Sequence, residues 1–349
     1  MPTATDYSQA IQNLHVAVAD EELKGGEVAA GPMGLPLQYT GNFAVVFQVR
    51  CPRTQKTWAV KCFTKQVDRR AERYDAISQH LRQVKLPFMV GFQYQERGIL
   101  VSGRWYPIVK MDWVEGEALN RFVAENLDKP RTLRQLLGLW LKLAERLRGA
   151  EVTHADLQHG NVLLVPAKDR QGHRLMLVDY DGMHVPALAL HPSGELGHPA
   201  YQHPERLRDG VYSAEVDRFS HLAIYAAIHC LRVGKRGLWS RFDNADNLLF
   251  RKSDFERPGE SELFHQLWAL GDPHAHALVG RLILATQAPL DRVPLLMEVL
   301  PNGTVQPLSH DQERQVKSLM GGGASKGPAV APFTPEDLDS WLKPSGPEK

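Results

Sequence analysis

The sequence predicts an α+β molecule of two lobes, a small and mostly antiparallel β lobe followed by a larger, mainly helical one. Three observations carry this prediction. The chain has 349 residues, more than one hydrophobic core usually organises, so two cores or two lobes are expected. From Leu37 to about Val114 the texture is strand-like, with runs rich in β-branched and aromatic residues. After Glu115-Gly116 the apolar residues recur at helical spacing instead.

Residues 1–36 hold one weakly amphipathic stretch, Tyr7 to Asp20, and then a Gly/Pro-rich passage, Gly25 to Pro36; they read as an N-terminal arm. The β lobe, residues 37–114, offers four strands: Phe43 to Val49, Thr57 to Phe63, Gly98 to Val101 and Tyr106 to Met111. One helix interrupts them, about Asp68 to Val84, where Tyr74, Ile77, Leu81 and Val84 repeat at helical spacing and Pro87 lies just beyond the end. In the helical lobe, residues 115–305, Leu133, Leu136, Leu137, Trp140, Leu143, Ala144 and Leu147 form a broad apolar face. A strand pair follows, Val162 to Val165 and Leu175 to Val178, and helices resume at Val216 and continue to about Leu300. Residues 306–349 form a C-terminal extension read as a flexible tail or linker, since Gly321-Gly322-Gly323 opens a mixture of Gly, Pro and Lys.

Composition narrows the function. Forty-one Lys plus Arg against 40 Asp plus Glu give a net charge of +1, so no polyanionic partner is indicated and nucleic acid is disfavoured. Cys51, Cys62 and Cys230 contain no C-x-x-C pair, which suggests neither a disulfide framework nor a zinc site and fits a reducing cytoplasm. No run approaches the ~20 apolar residues of a membrane span, and no secretory signal opens the chain. His184, His191, His198 and His203 crowd one segment at spacings that match no common zinc template. The seven tryptophans read as packing residues.

The chemistry-bearing residues stand at the ends of the predicted elements. His154 to Asn161 spells H-x-D-x-x-x-x-N, with Asp156 and Asn161 offering a carboxylate and an amide. Leu175 to Val178 is an apolar run ending abruptly in Asp179-Tyr180-Asp181-Gly182, which puts a carboxylate on a rigid element. Trp58-Ala59-Val60-Lys61 places a lysine on a strand, preceded by Gly41-Asn42-Phe43 as a hairpin turn and by Val46. Phosphoryl transfer asks mainly for positioning and charge neutralisation, and these are suitable tools for it.

Taken in this order, the motifs resemble those of the eukaryotic-type protein kinase superfamily, and the chain is similar to a divergent Ser/Thr-kinase-like member of bacterial type. The resemblance covers about residues 37 to 305 and implies the two-lobed kinase fold, with ATP and Mg2+ in the cleft between the lobes. It implies that Asp156 accepts or orients the proton of the acceptor hydroxyl, that Asn161 and Asp179 hold magnesium, and that Lys61 binds phosphate. Glu72, on the first helix, is the implied partner of Lys61. Gly41, Val46 and Ala59 would roof the nucleotide, and Met111, Asp112 and Val114 would form the hinge, where backbone groups of Asp112 and Val114 meet adenine. His203-Pro204-Glu205 resembles A-P-E, Asp217 the aspartate that anchors the catalytic loop, and Arg292 the arginine that pairs with that glutamate. His154 is assigned a structural place in the loop.

The departures are specific. Against G-x-G-x-x-G-x-V, the stretch Tyr39 to Val46 keeps only Gly41 and Val46. Asp181 replaces the glycine of D-F-G, as in the small-molecule kinases of the same superfamily, and stands as a candidate auxiliary ligand. Gln158 replaces the lysine usual in Ser/Thr kinases, and Ala155 replaces an arginine that binds activating phosphates. The expected activity is ATP- and Mg2+-dependent phosphotransfer to Ser or Thr of a protein substrate, including autophosphorylation. The rivals are a kinase acting on an aminoglycoside-, sugar- or lipid-like alcohol, and a pseudokinase scaffold. A downstream domain or partner would be reached through the C-terminal tail.

Overall fold

The computed structural model describes residues 1–31, 34–41, 43–167 and 172–321. The first half is built on six antiparallel strands: β1 (Glu27–Val28), β2 (Gln38–Thr40), β3 (Ala44–Cys51), β4 (Lys56–Phe63), β5 (Phe92–Val101) and β6 (Arg104–Asp112). Their spatial order is β1-β3-β4-β6-β5, with β2 also paired to β3. Successive strand residues face opposite ways. Val45, Phe47 and Val49 of β3 and Val60 and Cys62 of β4 therefore share one buried face, while Val46, Ala59 and Lys61 line a cleft on the other.

The first of these faces is covered by the N-terminal residues. Helices α1 (Ala4–Ile11), α2 (Leu14–Ala17) and α3 (Glu21–Lys24) lie across it, and Tyr7, Ile11 and Leu23 are fully buried. The Tyr7 hydroxyl donates to the Phe63 carbonyl at 2.8 Å, and Lys110 Nζ lies 2.9 Å from both Asp20 and Glu22. The N-terminal arm of the sequence reading is thus a fitted cover. The reason is on the strands: the outer face of β3 and β4, with Val45, Phe47, Val49, Val60 and Cys62, would otherwise be a large exposed apolar patch.

Against the inner face packs α4 (Arg70–Val84), which ends at Lys85 in the left-handed conformation (φ 48°) shortly before Pro87. The helical half contains α5 (Leu119–Glu125), α6 (Pro130–Gly149), α7 (Pro204–Asp209), α8 (Asp217–Phe242), α9 (Lys252–Glu256), α10 (Glu262–Trp268), α11 (Pro273–Gln287), α12 (Leu296–Val299) and α13 (His310–Gly321). The long α8, interrupted at Lys235, is flanked by α6 and α11, and the apolar face of α6 is buried from Leu133 to Leu147. A small antiparallel sheet of β7 (Glu117–Ala118), β8 (Val162–Pro166) and β9 (His173–Leu177) borders the cleft.

The two cores divide at the sheet. One lies between the N-terminal cover and the outer face; the other runs from Phe63, Tyr74 and Val109 through the cleft floor into the helical lobe. The start of the C-terminal extension departs from the flexible tail expected there, because α13 buries Val316 and Met320 against α11 and the turn Pro258–Glu260. The Gly/Pro-rich remainder, 322–349, lies outside the described residues. No described helix is long and apolar enough to cross a membrane.

Candidate active site

Between α6 and β8 the chain makes a tight loop that is held from below. Asp217, at the first turn of α8, accepts from the backbone N–H of His154 at 2.6 Å and of Ala155 at 2.9 Å. Burial raises the pKa of this carboxyl; the charges of His154 and Arg206 and the two amides act in the opposite direction. Ala155 has φ 64°, a costly backbone for a residue with a β-carbon, so the clamp holds strain as well as position. The fully buried Arg206 of α7 completes it by donating to the Ala155 carbonyl at 2.6 Å, to Gln202 and to the Glu195 carbonyl. His154 sits between loop and strand end, with Nε2 3.1 Å from the Val178 carbonyl.

This loop presents Asp156 and Asn161. The Asn161 amide donates to the Asp156 carbonyl at 3.0 Å and to Oδ2 at 2.9 Å, while Oδ1 accepts the His198 N–H at 2.7 Å. Residue 197 must be glycine for that contact. Its φ is +73°, and a β-carbon there would lie 2.8 Å from the Ala155 carbonyl and 3.0 Å from Asp156 Oδ1. Burial pushes the Asp156 pKa up against the pull of the His198 amide, giving an oriented carboxylate more basic than a free aspartate.

Opposite, Lys61 projects from β4 with its ammonium 2.7 Å from Asp179 Oδ1 and 2.7 Å from Asp181 Oδ2. Burial opposes the charge on Lys61, but the two carboxylates outweigh it and hold the pKa above the ordinary lysine value. For Asp179, burial alone would raise the pKa; Lys61 overrides it and keeps the carboxylate ionised. The Asp179 side chain is 44% open to the cleft and that of Asp181 only 11%. Because the Asn161 amide nitrogen is committed to Asp156, its oxygen remains for a ligand; with the Asp179 carboxylate it makes an all-oxygen donor set that fits a hard cation such as Mg2+. A further carboxyl, Glu195, enters from the 181–205 segment, its pKa driven up to about 8 by burial and by Asp181 and Asp179. Ser193 of that segment is buried and accepts the Glu195 N–H.

Lys61, Asn161 and Asp179 line a cleft of about 1460 Å3 that also includes Gly41, Val46, Ala59, Met111, Asp112 and Val114, and Asp156 is tied to it through Asn161. At the hinge, the Asp112 N–H is taken by the Gly91 carbonyl and the Trp113 N–H by Thr57, both at 3.0 Å. The amide half of the Asp112 expectation is therefore spent on the sheet, and Val114 is the next backbone position available. In the roof, the Gly41 N–H donates to Ala44 at 2.9 Å, while Asn42 of the expected hairpin turn lies outside the described residues. The rings of Tyr39 and Trp113 approach to 5.6 Å on the cleft wall.

Two pairs expected from the sequence do not form. Glu72 points to solvent and pairs with Arg69, the residue just before the helix; Lys61 meets Asp179 and Asp181 instead. The reason is helical phase. The buried face of α4 runs through Arg70, Arg73, Tyr74 and Ile77, and Glu72 is turned about 200° from Tyr74 around the axis. Arg292 is likewise exposed, and Glu205 accepts the Leu290 N–H at 2.7 Å, satisfying the carboxylate through the backbone of the very turn that carries Arg292. Sequence reasoning also passed over Arg73 and Tyr74. Arg73 donates to the carbonyls of Asp181, Met183 and His191, and Tyr74 donates its hydroxyl to Asp181. The apolar stripe of α4 already contained Tyr74 and would have pointed to it.

The family model described as protein kinase domain matches residues 40–242, more than half of the chain. None of the curated proteins compared with the chain matches it.

Proposed function

The chain belongs to the protein kinase family, a kinase that transfers phosphate to a hydroxyl acceptor, and on that premise we propose that it phosphorylates Ser or Thr on protein, itself included, using ATP and Mg2+. The observation that carries the reading is the convergence of Asn161, Asp179 and Lys61 on one cleft, with Asp156 joined to Asn161 and oriented by two donors. Val46, Ala59 and Met111 would sandwich the adenine, with the Val114 backbone meeting its edge and Gly41 passing over the phosphates. Lys61 would bind phosphate oxygens. Asn161 and Asp179 would hold magnesium, which supplies charge neutralisation on the transferring phosphoryl group.

In the reaction, the acceptor oxygen attacks the γ-phosphorus as the bond from that phosphorus to the β,γ-bridging oxygen breaks. ADP leaves with the electron pair, and the hydroxyl proton passes to Asp156. A protein acceptor is supported by the segment 195–201, which closes on the base through the His198 N–H and offers a surface beside it. Gln158 favours the second reading, a small alcohol as acceptor: its side chain folds back to the Gly160 N–H at 2.6 Å, so the loop lends no cation beside the base.

Incubation with γ-labelled ATP and Mg2+ tests both readings. Label on the protein or on an added Ser/Thr peptide supports the first, and label only on an added aminoglycoside or sugar supports the second. Asp156→Asn is expected to abolish transfer while leaving Mg2+-dependent nucleotide binding within about threefold of wild type, since its place is with the acceptor. Asp179→Asn should weaken both. Transfer undiminished in Asp156→Asn would overturn the assignment.

A further inference from the structure

Asp181 is fixed from three directions. One carboxylate oxygen lies 2.7 Å from Lys61 Nζ, the other accepts from the Tyr74 hydroxyl, and its carbonyl accepts from Arg73 Nε at 2.8 Å. Tyr74 is itself immobile: its ring stacks on Tyr94 at 5.4 Å and meets Phe63 and Phe92. Arg73, 6% exposed, also grips the carbonyls of Met183 and His191. The inward face of α4 thus reaches the strand end through Asp181, while Glu72 on the outward face reaches only Arg69.

We propose that Asp181, braced by Tyr74 and Arg73, is the positioning residue of Lys61 and takes the place that the sequence resemblance gave to a helix glutamate. The inference rests on the reading of the site given above. Its logic is a division of labour between two carboxylates on one ammonium. Asp179 is the more open of the two toward the cleft and is the one a cation would compete for. Once that contact is shared, a lysine only 9% exposed still has a full counter-charge in Asp181, which cannot swing away because both oxygens and the carbonyl are held. Lys61 therefore keeps its direction into the cleft, and α4 becomes the element that sets it.

Nucleotide affinity measured with a fluorescent ATP analogue, with and without Mg2+, tests this apart from turnover. Asp181→Asn is expected to weaken binding about 10- to 100-fold, by the same factor in both conditions, as removal of an orienting partner does. The isosteric Tyr74→Phe should show the same pattern with a smaller loss, and Glu72→Gln should match wild type. Asp179→Asn should lose the Mg2+-dependent part alone. If Asp181→Asn lost only the Mg2+-dependent part, Asp181 would be a metal ligand and the proposal would fail; a loss in Glu72→Gln equal to that in Asp181→Asn would also overturn it. Wild-type protein that bound no nucleotide in either condition would instead sink the kinase reading of the cleft.

Discussion

The two sides of the cleft were legible to different degrees. On the helical side, the residues singled out in His154 to Asn161 are gathered by Asp217 and Arg206 into one rigid loop. On the sheet side, Lys61 is where its strand puts it, but its expected partner is not; the counter-charges come from the end of β9 and the brace from Tyr74. A loop motif carries its geometry in its own spacing, because a few covalently linked residues fix where the carboxylate and amide stand. A pair between a strand and a helix depends on the rotation of that helix, which a short motif does not encode.

The helical side should break hardest where its anchor is removed. Asp217→Ala leaves the amides of His154 and Ala155 unpartnered in the interior and releases the strained Ala155 backbone. Denaturant unfolding is expected to show a loss of about 3 kcal/mol. Phosphoryl transfer should fall at least about 100-fold, because Asp156 and Asn161 lose their placement. Near-normal transfer in this variant would mean that the loop carries its own geometry.

A second test sharpens the same side through pH. His221, on α8 beneath the loop, is 7% exposed, stacks edge-on against Trp140, and its Nδ1 has no partner among the described residues. Burial first, then the charge of His154, lowers its pKa from 6.5 to about 3. Between these values the unfolded chain binds a proton that the folded one refuses. The neutral ring therefore costs nothing well above pH 6.5, and stability drains away as pH falls toward 3. At pH 5 the drain is about 2 kcal/mol. His221→Leu should flatten the fall between pH 7 and pH 5 by that amount; an unchanged pH slope would show that another group carries the acid sensitivity.

How much the sequence revealed follows from the range of each interaction. Strand and helix existence was readable from local periodicity, as with Tyr74, Ile77, Leu81 and Val84 in α4, and so was the change from β to helical texture near Gly116. The N-terminal cover was less readable: Tyr7, Ile11 and Leu14 are amphipathic only weakly, and their meaning lies in the outer face of β3 and β4, which needs them. Asp181 stands out in its motif, yet its contacts with Lys61 and Tyr74 reach back to a strand and a helix more than 100 residues earlier in the chain. The resemblance points to Glu72, whereas the phase of its own helix turns Tyr74 inward.

The smallest expected effect concerns the other unformed pair. Glu205 is half-buried and bound to the Leu290 N–H, whereas Arg292 is exposed on the same turn. Glu205→Ala should cost about 1 kcal/mol, the worth of one charge-assisted hydrogen bond partly replaced by water. Arg292→Ala should stay within about 0.5 kcal/mol of wild type, as an exposed side chain without a buried partner does. The diagnostic quantity is the coupling, since residues that do not interact give additive costs. A double-mutant cycle by urea unfolding is therefore expected to close within about 0.3 kcal/mol. Coupling above about 1 kcal/mol would mean that the two charges meet in solution, and the helical side of the molecule would then contain the pair that its motifs suggested.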